Sequence, residues 1–215
     1  MNNNYLLIFD LDDTIFETKS IGKHHVASIL DNFKVSISPI FKTQEITLIM
    51  SDLWKYPFDY VSKKHSLNDS VRKQFSNSIN STEYNLDIEA FKDFELVRNI
   101  DTRKALVTTG FKKLQLAKIS ALNLEDVFDE IHIDEIDDTN IIYKKGIFEQ
   151  LINSKDKELL DLIVIGDNPE SEIKAANELG LTTVQVAKLG QPKSSYANYY
   201  IQNFQDLIQI LEERA

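Results

Sequence analysis

The stretch Tyr5-Leu6-Leu7-Ile8-Phe9-Asp10-Leu11-Asp12-Asp13-Thr14 passes in one step from five apolar residues to a group of three carboxylates. A short, unalternating apolar run reads as a strand buried on both faces, as in a parallel sheet covered by helices. The carboxylates then stand crowded at its C-terminal end, and like charges at that spacing call for a cation. Hard oxygen donors at this density suit Mg²⁺, which takes one or two protein carboxylates and keeps other oxygens in its shell.

Working outward, four further apolar runs read as strands, at residues 104–108, 130–133, 162–165 and Thr182–Val186. Helical spacing lies between the later ones. Leu114, Ala117, Ala121 and Leu122 approximate one stripe, and Ile173, Ala176 and Leu179 another that Gly180 would stop. Strands alternating with helices predict an α/β fold with a doubly wound, Rossmann-like parallel sheet. Residues 203–214 read as a closing amphipathic helix.

Between the first and second strands the pattern breaks for roughly ninety residues, far more than a crossover needs. Val26, Ile29, Leu30 and Phe33 follow one helical stripe, and Ile46, Ile49, Met50 and Leu53 another; Asn68-Asp69 reads as a further helix start. An all-helical cap domain is therefore expected over residues 17–96, with residues 1–16 and 97–215 forming the core. Trp54, Tyr56, Phe58 and Tyr60 are expected in the cap's interior, or one of them at the mouth of a site.

Composition narrows the function classes. The 215 residues carry 34 acidic and 24 basic side chains, a net charge of -10 with lysines dispersed, which would repel a nucleic-acid backbone. A bound divalent cation reverses that sign locally, so small phosphorylated molecules remain admissible. There is no cysteine, which removes disulfides, thiolate metal sites and cysteine nucleophiles. Neither a membrane-length apolar run nor a basic leader is visible, so a cytoplasmic protein, a monomer or homodimer, without membrane or nucleic-acid partners is expected.

A second acidic group follows the fourth strand, in Gly166-Asp167-Asn168-Pro169-Glu170-Ser171-Glu172. Strands that neighbour in a parallel sheet would bring Asp167 beside Asp10, where open sheets bind their ligands. The second strand ends in Thr108-Thr109-Gly110, a hydroxyl and accessible backbone N–H groups at a helix start that favours anions. Lys144 and Lys145 precede another helix, and either could supply a fixed positive charge. The acidic segment 134–138 reads as a solvated loop.

In these elements the chain resembles the haloacid dehalogenase superfamily of phosphatases and phosphotransferases. Asp10, Asp12 and Thr14 match its first motif, Thr108 its second, and Gly166, Asp167 and Glu172 its fourth. The third motif is a single lysine before a helix; Lys145 is favoured over Lys144 because Gly146 follows it. The segment from Leu122 to Asp129 is also similar to the family, and the motifs stand in family order from Leu6 to Val186. Glu172 departs from the pattern, since Asp is usual there.

The resemblance implies a phosphoric monoester hydrolase that uses Mg²⁺ and acts on a small phosphorylated metabolite. Asp10 would attack phosphorus to give an aspartyl-phosphate, and Asp12 would serve as general acid and then base. Asp10, the Asp12 backbone carbonyl and Asp167 would hold the metal, with Glu172 reaching it through water or orienting the lysine. Thr108, Thr109, Gly110 and the lysine would hold the phosphate. A phosphomutase of the β-phosphoglucomutase kind shares all four motifs. A dehalogenase is disfavoured by Asp12, and a phospho-receiver switch by carboxylates two apart on the first strand.

Overall fold

The computed structural model describes residues 5–53, 56, 58–136, 142–154, 161–187 and 192–214. Tyr5–Phe9 forms strand β1, the third strand of a six-stranded parallel sheet. On one side of it lie β2 (Arg103–Gly110) and β3 (Glu130–Glu135). On the other side lie β4 (Asp161–Gly166), β5 (Thr182–Val186) and β6 (Tyr199–Ile201). The order β3-β2-β1-β4-β5-β6 is that of a doubly wound α/β sheet, and its reversal falls at β1. All five runs read as strands are strands; β6 escaped because Tyr-Tyr-Ile is too short to show a pattern.

Both faces of the sheet are covered, as the unalternating apolar runs require. Successive side chains of a strand point to opposite faces. Leu7 and Phe9 join one apolar cluster with Ile119, Leu122, Phe204, Leu207 and Leu211, while Leu6 and Ile8 join another with Ile147, Phe148, Leu151 and Ala176. The closing helix, Phe204–Arg214, docks through Phe204, Leu207 and Leu211, and Phe204 meets Phe9 edge-on at 6.2 Å.

After β1 come α1 (Lys23–Ile37), α2 (Thr43–Leu53), α3 (Phe58–Lys64) and α4 (Asp69–Ser81). Asn68 caps α4 by accepting the Val71 N–H at 3.0 Å, as the Asn-Asp start predicted. Their apolar faces share a core of their own, in which the rings of Phe33, Phe58 and Phe75 touch. Phe111, just past the end of β2, inserts against Phe58 and Phe75 at 5.6 and 5.8 Å and seats this layer over the strand ends. Trp54 lies outside the described residues; Phe58 is buried here, whereas Tyr56 and Tyr60 are exposed.

The chain rejoins the sheet earlier than residue 97. Ile88, Phe94 and Val97 belong to the sheet's cluster, and Phe91 N–H donates to Ile15 O at 2.8 Å, so outgoing and returning segments pair with each other. The short helix α5 (Glu95–Arg98) leads back into β2. After β2 come α6 (Lys112–Ala121), α7 (Tyr143–Ile152), α8 (Lys174–Glu178) and, last in the chain, α9, the closing helix. Among the described residues no helix is long and apolar enough to cross a membrane.

Candidate active site

Asp10 follows β1 directly, and its N–H extends the ladder by donating to Ile165 O at 2.9 Å. The register Phe9↔Ile165 therefore sets Asp10 beside the Gly166-Asp167 turn at the end of β4. Carboxylate oxygens of Asp10, Asp167 and Glu172 all lie within 4.8 Å of one another. Glu172 reaches this group because position 166 has no side chain: a Cβ there would stand 2.3 Å from Glu172 Cγ. Glu172 is fully buried and also accepts the Asn168 N–H at 2.6 Å, which fixes the turn.

Lys144, not Lys145, completes this group. Its Nζ donates to Asp10 Oδ1 and to Glu172 Oε2, both at 2.7 Å, and its side chain is buried. Lys145 is on the surface, paired with Glu178 at 2.7 Å, so the preference for Lys145 is corrected. The reason is helical phase. The buried face of α7 is Lys144, Ile147, Phe148 and Leu151, spaced i, i+3, i+4, i+7, and Lys145 falls off that stripe.

The electrostatics follow from three acids sharing one ammonium. Burial raises the Asp10 carboxyl to about 7 against the pull of Lys144, with Glu172 adding to the rise. Burial likewise raises Asp167 to about 8, helped by Glu172, Asp10 and Asp13. Burial would lower Lys144, but Asp10 and Glu172 hold it above its ordinary range. A set of hard oxygen donors that resists ionising together fits a divalent cation such as Mg²⁺, whose charge would relieve that resistance.

Asp12 takes a different set of partners. Its carboxylate accepts from Lys118 Nζ at 2.7 and 3.0 Å, Gln115 Nε2 at 3.0 Å and Thr18 Oγ1 at 3.2 Å. Burial alone would raise its carboxyl; Lys118 and these donors overcome that and hold it below the usual carboxylate range. Gln115 Nε2 also donates to Thr108 Oγ1 at 2.6 Å, so one amide ties Asp12 to the end of β2. Gln115 lies so close to Gly110 that a Cβ there would meet it at 2.9 Å.

Gln115 and Lys118 were not anticipated. Of the stripe read as Leu114, Ala117, Ala121 and Leu122, Leu122 alone is buried; the buried face runs through Gln115, Lys118 and Ile119 to Leu122. An apolar template passes over a buried face with two polar members. Their signal was Ile119 and Leu122 continuing backwards at i, i+3, i+4, i+7 to Lys118 and Gln115.

The remaining expected residues divide. Thr108 is buried at the site through Gln115, and Thr109 Oγ1 donates to Asp134 Oδ2 at 3.3 Å. Thr14 is wholly buried and its hydroxyl has no hydrogen-bond partner among the described residues. Asp134 is no loop residue: it sits on β3, buried, while 137 and 138 lie outside the described residues. A buried carboxylate, a second carboxylate with its own cation, a hydroxyl and a fixed ammonium thus meet at the C-terminal ends of β1, β2 and β4. That combination can attack, protonate and hold an oxyanion.

A model of the haloacid dehalogenase-like hydrolase family matches residues 7–186. No curated protein sequence matches the chain. Among solved structures, Bacillus subtilis YfnB bound to magnesium superimposes with a TM-score of 0.63 at 18% identity, covering 98% of this chain and 99% of that one. A phosphatase from Thermococcus onnurineus gives 0.63 at 19%, covering 96% and 97%. A 2-haloacid dehalogenase from Pseudomonas syringae gives 0.62 at 17%, covering 98% and 99%. Likeness at such identities speaks for the fold, and different chemistries share it.

Proposed function

Because the chain belongs to the haloacid dehalogenase-like hydrolases, we propose that it is a magnesium-dependent phosphatase acting on a small phosphorylated metabolite through Asp10. The observation that carries this reading is Lys144 held between Asp10 and Glu172, in a group of three carboxylates that includes Asp167. Asp10 and Asp167, with Glu172 close by, would hold the cation, which supplies charge neutralisation of the phosphoryl oxygens.

In the first step an Asp10 oxygen forms a bond to phosphorus while the ester P–O bond breaks. The departing oxygen takes a proton from Asp12 in its neutral form, a minor population because Lys118 and the neighbouring donors favour the carboxylate. In the second, Asp12 takes a proton from water, the water oxygen bonds to phosphorus, and the aspartyl P–O bond breaks to release phosphate. Lys144 neutralises Asp10 as it approaches the phosphate, and Thr108, held by Gln115, offers its hydroxyl to a phosphoryl oxygen. The presence of a carboxyl group at position 12 favours ester cleavage over carbon–halogen cleavage, whose leaving halide needs no proton.

The test is turnover of p-nitrophenyl phosphate with Mg²⁺ by the intact chain and by Asp10→Asn. Phosphate release and a trappable phospho-enzyme are expected for the first and neither for the second. Appreciable turnover by the variant, or halide release from 2-chloropropionate in place of phosphate release, would overturn the reading. Isomerisation of a sugar phosphate without net phosphate release would instead mark a mutase.

A further inference from the structure

A cleft of about 420 Å³ opens beside the site, between α3 and the strand ends, lined among others by Tyr56, Tyr60, Tyr143, Asp59, Asp134 and Thr109. Lys144 and Asn168, which flank Asp10 and Asp167, are part of its wall, so it is continuous with the reacting group. The Tyr56 and Tyr60 rings lie 4.8 Å apart, and both are exposed, at 43% and 47%. The Lys64 ammonium, itself held by Asp52 at 2.8 Å, lies 5.4 and 5.9 Å from the two ring centroids and steadies the pair.

Tyr143 supplies a third ring. It has φ +57°, a left-handed backbone that a bulky side chain enters at a cost. Half-exposed, it receives a hydrogen bond on its hydroxyl from Lys63 of α3 at 3.1 Å. The strain therefore sets an aromatic side chain at the cleft immediately before the buried Lys144.

The charges of the cleft exclude a second anion. Of the lysines lining it, Lys144 is already held by Asp10 and Glu172, and Lys145 by Glu178. Asp59 and Asp134 stand in the same wall, and burial raises the Asp134 carboxyl above its ordinary value, with Asp59 adding to the rise. A carboxylate or second phosphate on the leaving group would meet carboxylates and committed cations there.

We infer that this cleft takes the alcohol part of the substrate and that this part carries a planar ring with no negative charge. The inference rests on the phosphatase reading above. Three aromatic faces bind such a ring by stacking, which tolerates different ring identities.

The test compares specificity constants, with Mg²⁺, for uridine 5′-monophosphate, adenosine 5′-monophosphate, ribose 5-phosphate and phosphoglycolate, using acetyl phosphate as a reference without a ring. The nucleotides and ribose 5-phosphate share the reacting end and differ by the base. At least one nucleotide should exceed ribose 5-phosphate by about tenfold or more, from stacking alone, with phosphoglycolate lowest. Tyr60→Ala should bring the nucleotide-to-ribose ratio towards one, and Tyr60→Phe should keep it. Equal constants for nucleotides and ribose 5-phosphate, preference for phosphoglycolate, or a ratio unmoved in Tyr60→Ala would overturn the inference while leaving the phosphatase reading standing if acetyl phosphate is hydrolysed. Failure to hydrolyse acetyl phosphate or any of the panel would overturn both.

Discussion

Lys118, from the buried face of α6, grips both oxygens of Asp12 at 2.7 and 3.0 Å, while Lys144, from the buried face of α7, grips Asp10. Two carboxylates two residues apart thus meet different cations, delivered by helices on either side of β1, and Asp10 shares its own with Glu172. That division gives Asp10 and Asp12 different electrostatic surroundings although they share a loop.

The Lys118–Asp12 pair makes a stability prediction. Lys118 is buried and Asp12 partly so, and removing the lysine leaves the carboxylate with neutral donors alone. Lys118→Met should lower unfolding free energy by about 3 kcal/mol, measured by urea denaturation. Asp12→Asn combined with Lys118→Met should cost less than the sum of the single changes; strict additivity would show that the two do not interact.

The lysines of α7 make a kinetic prediction. Lys144→Met should reduce kcat for acetyl phosphate by about a hundredfold or more, the usual loss on removing one charge-stabilising donor. Lys145→Met breaks only an exposed pair with Glu178 and should stay within about twofold. Comparable losses in both variants would refute the assignment of Lys144.

Metal removal and pH are linked. Asp10 and Asp167 have folded-state values near 7 and 8, above the ordinary 3.8, so ionising them costs the folded state more than the unfolded one. Without a cation, stability should fall as pH rises from about 4 through about 8. Mg²⁺ held by these carboxylates would relieve that cost, so the gain in Tm on replacing EDTA with Mg²⁺ should be small at pH 5 and reach about 3 °C or more at pH 8. An equal gain at both pH values would contradict this.

Two glycines separate site effects from backbone effects. Gly166→Ala would drive a Cβ into Glu172 at 2.3 Å, displacing the carboxylate that anchors Lys144. It should cost about 2 kcal/mol from overpacking and also depress kcat. Gly180→Ala meets no atom within 4 Å but must adopt φ +72°, so it should cost about 1 kcal/mol with kcat unchanged. Unfolding curves and acetyl phosphate turnover, taken together on both variants, check the contrast.

Much of the molecule was readable from local pattern. Strand cores, the interruption after β1 and the helix stripes of α1 and α2 all follow from residue spacing, because burial on a periodic element leaves a periodic trace. Polar residues on a buried face broke that reading. Gln115 and Lys118 occupy core positions of α6, and Lys144 a core position of α7, because those faces look onto carboxylates. Phase, taken from Ile119 and Leu122 or from Ile147, Phe148 and Leu151, marked them; hydrophobicity did not.

The sequence by itself determined that a parallel α/β sheet would gather Asp10, Asp12, Thr108 and Asp167 at its strand ends, since apolar runs and the residues following them are local facts. Only the tertiary structure decided which lysine meets Asp10, that Asp12 is held by α6, and that Tyr56, Tyr60 and Tyr143 share a cleft. Those relations join residues up to 134 positions apart; helical phase marks Lys144, Gln115 and Lys118 as buried, but which carboxylate each one meets depends on how the helices dock against the sheet.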